Sequence, residues 1–164
     1  MSQEVYRHRC LVLSLGMRTP FYQELCSMFP HISDVVVNVK IMLRPPPRNQ
    51  RVRWTCHDPE NESVIASRPV FERAVTECQQ QLDQYGIVIV LCMGGNHRAP
   101  TVASRVQGAD YVVHSATFPF HTSDIVAMVM TCLMPSPYCF IGHANSARTS
   151  WCYHRSQYTV AWRW

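Results

Sequence analysis

Residues Ile87 to Ala103 (IVIVLCMGGNHRAPTVA) constrain the fold of this chain more than any other stretch. Ile87 to Leu91 is an unbroken aliphatic run with no polar alternation, which predicts a strand covered on both faces. The Met93 to Arg98 segment carries two glycines and reads as a turn. Pro100 then suits the first turn of a helix, where a missing N–H costs nothing, and the helix is expected to run through Val102 and Ala103 to Val106. A buried strand followed by a glycine turn and a helix is the repeating unit of α/β proteins, and it places exposed backbone N–H groups at the carboxyl end of the strand. Gly94, Gly95, Asn96, His97 and Arg98 are therefore the candidate anion-binding residues.

The flanking chain supports this architecture. Cys10 to Leu15 reads as a first strand closed by Gly16. Thr19 and Pro20 read as the cap and first position of a helix through Met28 that Pro30 ends. Asp34 to Val39 is a second strand by its β-branched content. From Arg68 to Tyr85, apolar Val70, Phe71, Ala74, Val75, Cys78 and Leu82 recur at helical spacing, and Asp110 to His114 forms a further strand. Strands alternating with helices imply right-handed crossovers, so the expected fold is α/β, a mainly parallel sheet with helices on both faces. After Thr117 the pattern weakens. A helix from Thr122 or Ser123 through Leu133 precedes a short apolar run at Tyr138 to Ile141. The remainder to Trp164 has no clear period and holds three of the four tryptophans. The expected organisation is an α/β domain over 1–118 and an extension over 119–164 that packs on the domain or on a protein partner.

Composition narrows the class of function. With 47% hydrophobic residues, 164 residues suffice for one core without staples. The formal charge of +4 is carried almost wholly by arginine, Lys40 being the single lysine. Arginine makes planar two-pronged contacts to phosphate and carboxylate, which suits an anionic partner. The Lys40 to Arg53 segment (KIMLRPPPRNQRVR) contains three consecutive prolines, so a stiff basic surface loop is expected there, with Arg44, Arg48, Arg51 and Arg53 as candidate RNA-phosphate contacts beside Trp54. Eight cysteines without an apolar leader in Met1 to Arg9 point to reduced thiols and an intracellular protein, in cytoplasm or mitochondrion. The apolar run Ile125 to Met134 is too short to span a bilayer, so no membrane partner is expected.

Three chemistries compete for the central loop. Cys92 and Arg98 stand in the C-x5-R spacing of cysteine-dependent phosphatases, in which a thiolate attacks phosphorus while an arginine holds the phosphoryl oxygens. Ala99, however, occupies the place of the hydroxyl residue that assists such thiolates, and no aspartate is well placed as general acid. A Walker loop is excluded by sequence. Cys132, Cys139, His143, Cys152 and His154 have zinc-ligand chemistry but no tight C-x2-C pair, so neither a metal nor a cofactor is expected.

The loop CMGGNHR, between an apolar strand and a small-residue helix, resembles the cysteine–x–glycine–glycine–x–histidine–arginine loop in the C-terminal domain of the RapZ family of bacterial RNase adapter proteins. LSLGMRTP, followed by DVVVNVKIMLRPPP, is similar to that domain's first strand and glycine turn, then its second strand and proline-bearing loop; the likeness covers about residues 8 to 118. It implies a domain that binds small RNAs and an amino-sugar phosphate, with Gly94, Gly95, His97 and Arg98 at the phosphate and Cys92 opening the loop. The chain departs from the pattern at Met93, Asn96 and Ala99, where the family has a threonine, a basic residue and a serine. Asn38 stands where an aspartate is usual, and prolines replace a histidine in the following loop. The resemblance thus implies a general phosphate site more than a sugar-specific one, and nothing that depends on the family's P-loop kinase-like domain. The leading expectation is a non-catalytic phosphate- or RNA-binding adaptor domain of a ribonucleoprotein assembly. The alternatives are a phosphatase using Cys92 and Arg98 and a structural interaction protein with a vestigial pocket.

Overall fold

A computed structural model of the chain describes residues 10–45, 59–115, 125–126, 128–129, 150–154 and 159–162. Four parallel strands form the centre of the sheet: β1 (Leu11–Gly16), β2 (Val36–Asn38), β3 (Ile87–Cys92) and β4 (Tyr111–His114), with β3 and β4 on either side of β1 and β2 outside β3. Every residue of β1 and β3 is buried, as their unalternating aliphatic composition requires. Beyond β4 the sheet continues with two antiparallel strands, β5 (Ser150–His154) and β6 (Thr159–Trp162). The fold is α/β, as expected from the sequence.

Two apolar layers separate cleanly by strand parity. Leu11, Leu13, Leu15, Ile87, Ile89 and Leu91 face one side, where they meet Leu25 of α1 (Pro20–Met28), the 3₁₀ turn Ile32–Val35, and helical Ile125, Val126 and Val129. Val12, Val88, Val90 and Val112 face the other side, against α2 (Val39–Met42), α3 (Pro59–Ala66), α4 (Phe71–Tyr85) and α5 (Arg98–Ala103). Leu25 is the one residue of α1 that is fully buried, so Leu25→Ala should cost about 2–5 kcal/mol and loosen that helix first. On the opposite side Phe71, Ala74, Cys78 and Leu82 form the buried stripe of α4. Burial pushes the Cys78 thiol up to about 12, with Glu77 adding to the shift. Gly86 ends α4 in the left-handed region at φ 72°, with its N–H donating to the Leu82 carbonyl.

The crossover from β1 to β2 moves across the sheet on the α1 side, while those from β2 to β3 and from β3 to β4 return on the α4 and α5 side. Opposite directions on opposite faces are what right-handed crossovers demand. Adjacent strands β1 and β3 therefore send their chains to different faces, and the gap between their carboxyl ends is the topological switch point, where open α/β sheets bind ligands.

Several local expectations are corrected. The second strand is shorter than the expected Asp34 to Val39, because Asp34 and Val35 belong to the 3₁₀ turn and the Asn38 side chain accepts a hydrogen bond from the Lys40 N–H at 3.1 Å, starting α2 at Val39. Lys40 to Met42 are accordingly helical rather than loop. The short helix α3 was not foreseen, although Pro59 followed by Glu60 and Glu62 is a helix-start pattern. Helix α4 begins at Phe71 rather than Arg68, and α5 runs from Arg98 to Ala103 rather than from Pro100 to Val106. Thr19 is the residue before α1, but its hydroxyl donates back to the Gly16 carbonyl at 2.7 Å instead of capping the helix. The segment between Arg44 and α3, most of the helix expected at 122–133, the run at 138–141 and the boundary at 118/119 lie largely or wholly outside the described residues.

Candidate functional site

At the switch point the two glycine turns are in backbone contact. A Cβ on Gly16 would lie 2.5 Å from the Gly94 carbonyl carbon and 2.8 Å from the Gly95 nitrogen, and one on Gly95 would lie 2.7 Å from the Gly16 nitrogen. Gly95 also takes a φ of 76°, which strains any side-chain-bearing residue. Two hydrogen bonds tie the turns together: Met17 N–H to the Cys92 carbonyl at 2.8 Å, and Arg18 N–H to the Met93 carbonyl at 3.2 Å. Gly16 and Gly95 are thus required by loop-to-loop packing, a reason that the sequence pattern alone does not separate from ligand approach.

Gly94 differs from both. It is exposed, its φ lies outside the left-handed region, and a Cβ there would meet only the Asn96 side-chain nitrogen, at 3.4 Å. It is the place where a backbone segment opens outward from a floor that cannot easily move. Asn96 and His97 beside it are half-buried. The His97 carbonyl accepts from both the N–H and the hydroxyl of Thr101, at 3.2 and 2.8 Å, which fixes the start of α5.

Cys92 and Arg98 are both buried. The Gly95 N–H donates to Cys92 Sγ at 3.2 Å. Arg98 Nη1 donates to the Leu43 carbonyl at 2.9 Å and the Lys40 carbonyl at 3.3 Å. Its guanidinium thus bonds the carboxyl-terminal end of α2, whose last carbonyls have no partner within the helix. Arg98 holds the β2 and β3 turns together.

Below the turns, on the α5 side of the sheet, Ser14 Oγ and His114 Nδ1 are 2.8 Å apart, both buried, at paired positions of β1 and β4. This hydrogen bond ties two central strands near their carboxyl ends and lets two polar side chains sit in an otherwise apolar layer.

Charge on the turns is one-sided. The segments that follow β1, β2 and β3, namely 17–19, 39–45 and 93–98, contain Arg18, Lys40, Arg44, His97 and Arg98 and no carboxylate. Arg18, Lys40 and Arg44 are exposed. Arg18 and Lys40 were not among the sequence candidates. The signal was present in LSLGMRTP and VNVKIM, each a strand end followed within a few residues by a cation. Arg48, Arg51 and Arg53 lie outside the described residues, as do Cys132, Cys139 and His143. For Cys152 and His154 only the backbone, in β5, is described. Among the described residues no three histidine, cysteine or acidic side chains gather as a metal site, and no helix is long and apolar enough to cross a membrane. No protein-family model, curated protein or solved structure matches this chain.

Proposed function

We propose that the chain is a non-catalytic phosphate-binding domain of the RapZ C-terminal kind, an adaptor that holds a phosphorylated small molecule or an RNA phosphate at Gly94 and serves a ribonucleoprotein assembly. The observation that carries this reading is the exposed Gly94 backbone at the switch point, on a turn held rigid by the Gly16–Gly95 contact and by Arg98. A rigid floor matters because a preorganised loop loses little conformational entropy when an anion docks. In this reading Gly94, Asn96 and His97 meet the ligand, while Gly95 and Arg98 position them.

Gly94→Val separates binding from folding, since a Cβ there has room while a branched side chain would stand in the ligand's path. Orthophosphate titrated calorimetrically into the wild type should bind, and the variant should bind about tenfold more weakly or not at all, with an unchanged melting temperature. Equal affinities, or no binding by the wild type, would overturn the proposal.

The Gly95 N–H on Cys92 Sγ favours one second reading, a cysteine-dependent phosphatase, because an amide donor stabilises a thiolate. The Arg98 contacts with two carbonyls count against it. Turnover of an aryl phosphate that disappears in Cys92→Ser would establish the hydrolase and displace the adaptor.

A further inference from the structure

We infer that the outer edge of β2 is a self-pairing surface, at which a second copy of this chain lays its own β2 antiparallel and extends the sheet across a twofold axis. The inference stands apart from the reading of Gly94. β2 ends the sheet on one side: it pairs with β3, and among the described residues no strand lies beyond it. An edge strand offers backbone N–H and C=O groups to any chain that can lie beside it, and folded proteins commonly block such an edge with proline or charge. Val36–Asn38 holds neither. Its shortness limits the pairing to a few hydrogen bonds, so the residues on either side decide which chain fits.

Those flanks are self-complementary. About Val37, Val36 mirrors Asn38, buried Val35 mirrors buried Val39, and Asp34 mirrors Lys40. Asp34 lies on the 3₁₀ turn before the strand and Lys40 on α2 after it; both are exposed, and among the described residues neither is in an ion pair. An antiparallel pair centred on Val37 brings position 34 of each copy to position 40 of the other, within reach of the flexible lysine stem, and the twofold axis makes this contact twice. The other arrangements lose it. Centring on Val36 sets Asp34 against Asn38, centring on Asn38 sets Lys40 against Val36, and a parallel pair sets each charge against its own kind. An exposed ion pair contributes little alone, so the dimer is a weak one, with a dissociation constant of about 10–100 μM. Ile41, next on α2, is 81% exposed, an apolar side chain that a single copy leaves uncovered at this edge. Antiparallel pairing also points the carboxyl ends of the two sheets in opposite directions, so the two Gly94 turns stand on opposite sides of the dimer.

Sedimentation equilibrium of the whole chain, near neutral pH and at low salt, should show the wild type exchanging between monomer and dimer at about 100 μM. Asp34→Lys alone and Lys40→Asp alone set like charges together at both contacts, and each should weaken association by about tenfold, with a nearly unchanged melting temperature because both positions are exposed. An equimolar mixture of the two variants pairs opposite charges again and should recover the wild-type affinity as a mixed dimer. A wild type that stays monomeric at that concentration would overturn the inference and leave the edge to a chain of another kind. A dimer that neither variant weakens, or variants whose mixture stays dissociated, would overturn it as well, since association would then run through another surface.

Discussion

The two ends of the parallel sheet are built from similar turns to different purposes. At the amino end, among the described residues, polar side chains finish neighbouring elements: Asp110 Oδ2 accepts from the Cys10 N–H at 2.7 Å, closing the start of β1, and Asp83 Oδ1 accepts from the Gln79 side chain at 3.0 Å within α4. Gly86 is there for its left-handed φ alone, since nothing lies within 4 Å of where its Cβ would be. At the carboxyl end the turns carry cations, and Gly16 and Gly95 are there because two backbones touch. One end finishes strands and helices. The other brings two backbone turns into contact beside exposed cations, and it is the end that we propose binds a ligand.

The sharpest way to break this comparison is to add one methyl group at each end. Gly16→Ala and Gly95→Ala should each destabilise by about 3–5 kcal/mol, because a Cβ driven into backbone forces two loops apart and, at Gly95, adds left-handed strain. Gly86→Ala, with strain but no clash, should cost only about 1–2 kcal/mol. Urea denaturation of the three variants measures the contrast, and equal losses would show that the carboxyl-end glycines are not packed as described. Between these lies Arg98→Ala, which strips a donor from the Leu43 and Lys40 carbonyls and should cost about 1–3 kcal/mol. Arg98→Lys, lacking the planar fork, should recover only part of this.

Much of the frame was legible in the sequence because it follows from local rules. Unalternating aliphatic runs mark β1 and β3, and a stripe at helical spacing marks α4. The second strand was misjudged because Asn38 diverts the chain into α2, a choice made by one side-chain hydrogen bond inside a β-branched run. Strands β5 and β6 lie in a stretch with no clear period, although its tryptophans, tyrosines and threonines carry strand propensity. At the site, the sequence singled out the Gly94–Arg98 turn but gave its members one role. Gly95 and Gly94 look alike as letters, and only the packing of Gly16 tells the buried one from the open one. Arg98 was expected at a ligand, and the role that the sequence did not disclose is its Nη1 contact with the Leu43 carbonyl, 55 residues away, which no local pattern encodes.

A smaller effect concerns the core beneath both ends. Folding raises the Cys78 pKa from 9.0 to about 12, so the folded chain holds this proton more tightly than the unfolded one. Its contribution is complete below about pH 9 and is lost as the pH climbs towards 12. Denaturation midpoints measured across that window should fall less steeply for Cys78→Ala than for the wild type, whatever the offset from the lost sulfur. Parallel curves would mean that the thiol is not buried as described.

The assignment of binding to the carboxyl end is tested most directly by following backbone amides in a phosphate titration by heteronuclear magnetic resonance. Saturable shifts should be largest at Gly94 and its neighbours Met93 and Asn96, and Gly86 and Gly108 at the amino end should stay in place. Shifts of equal size at both ends, or none at Gly94 while other amides respond, would contradict it.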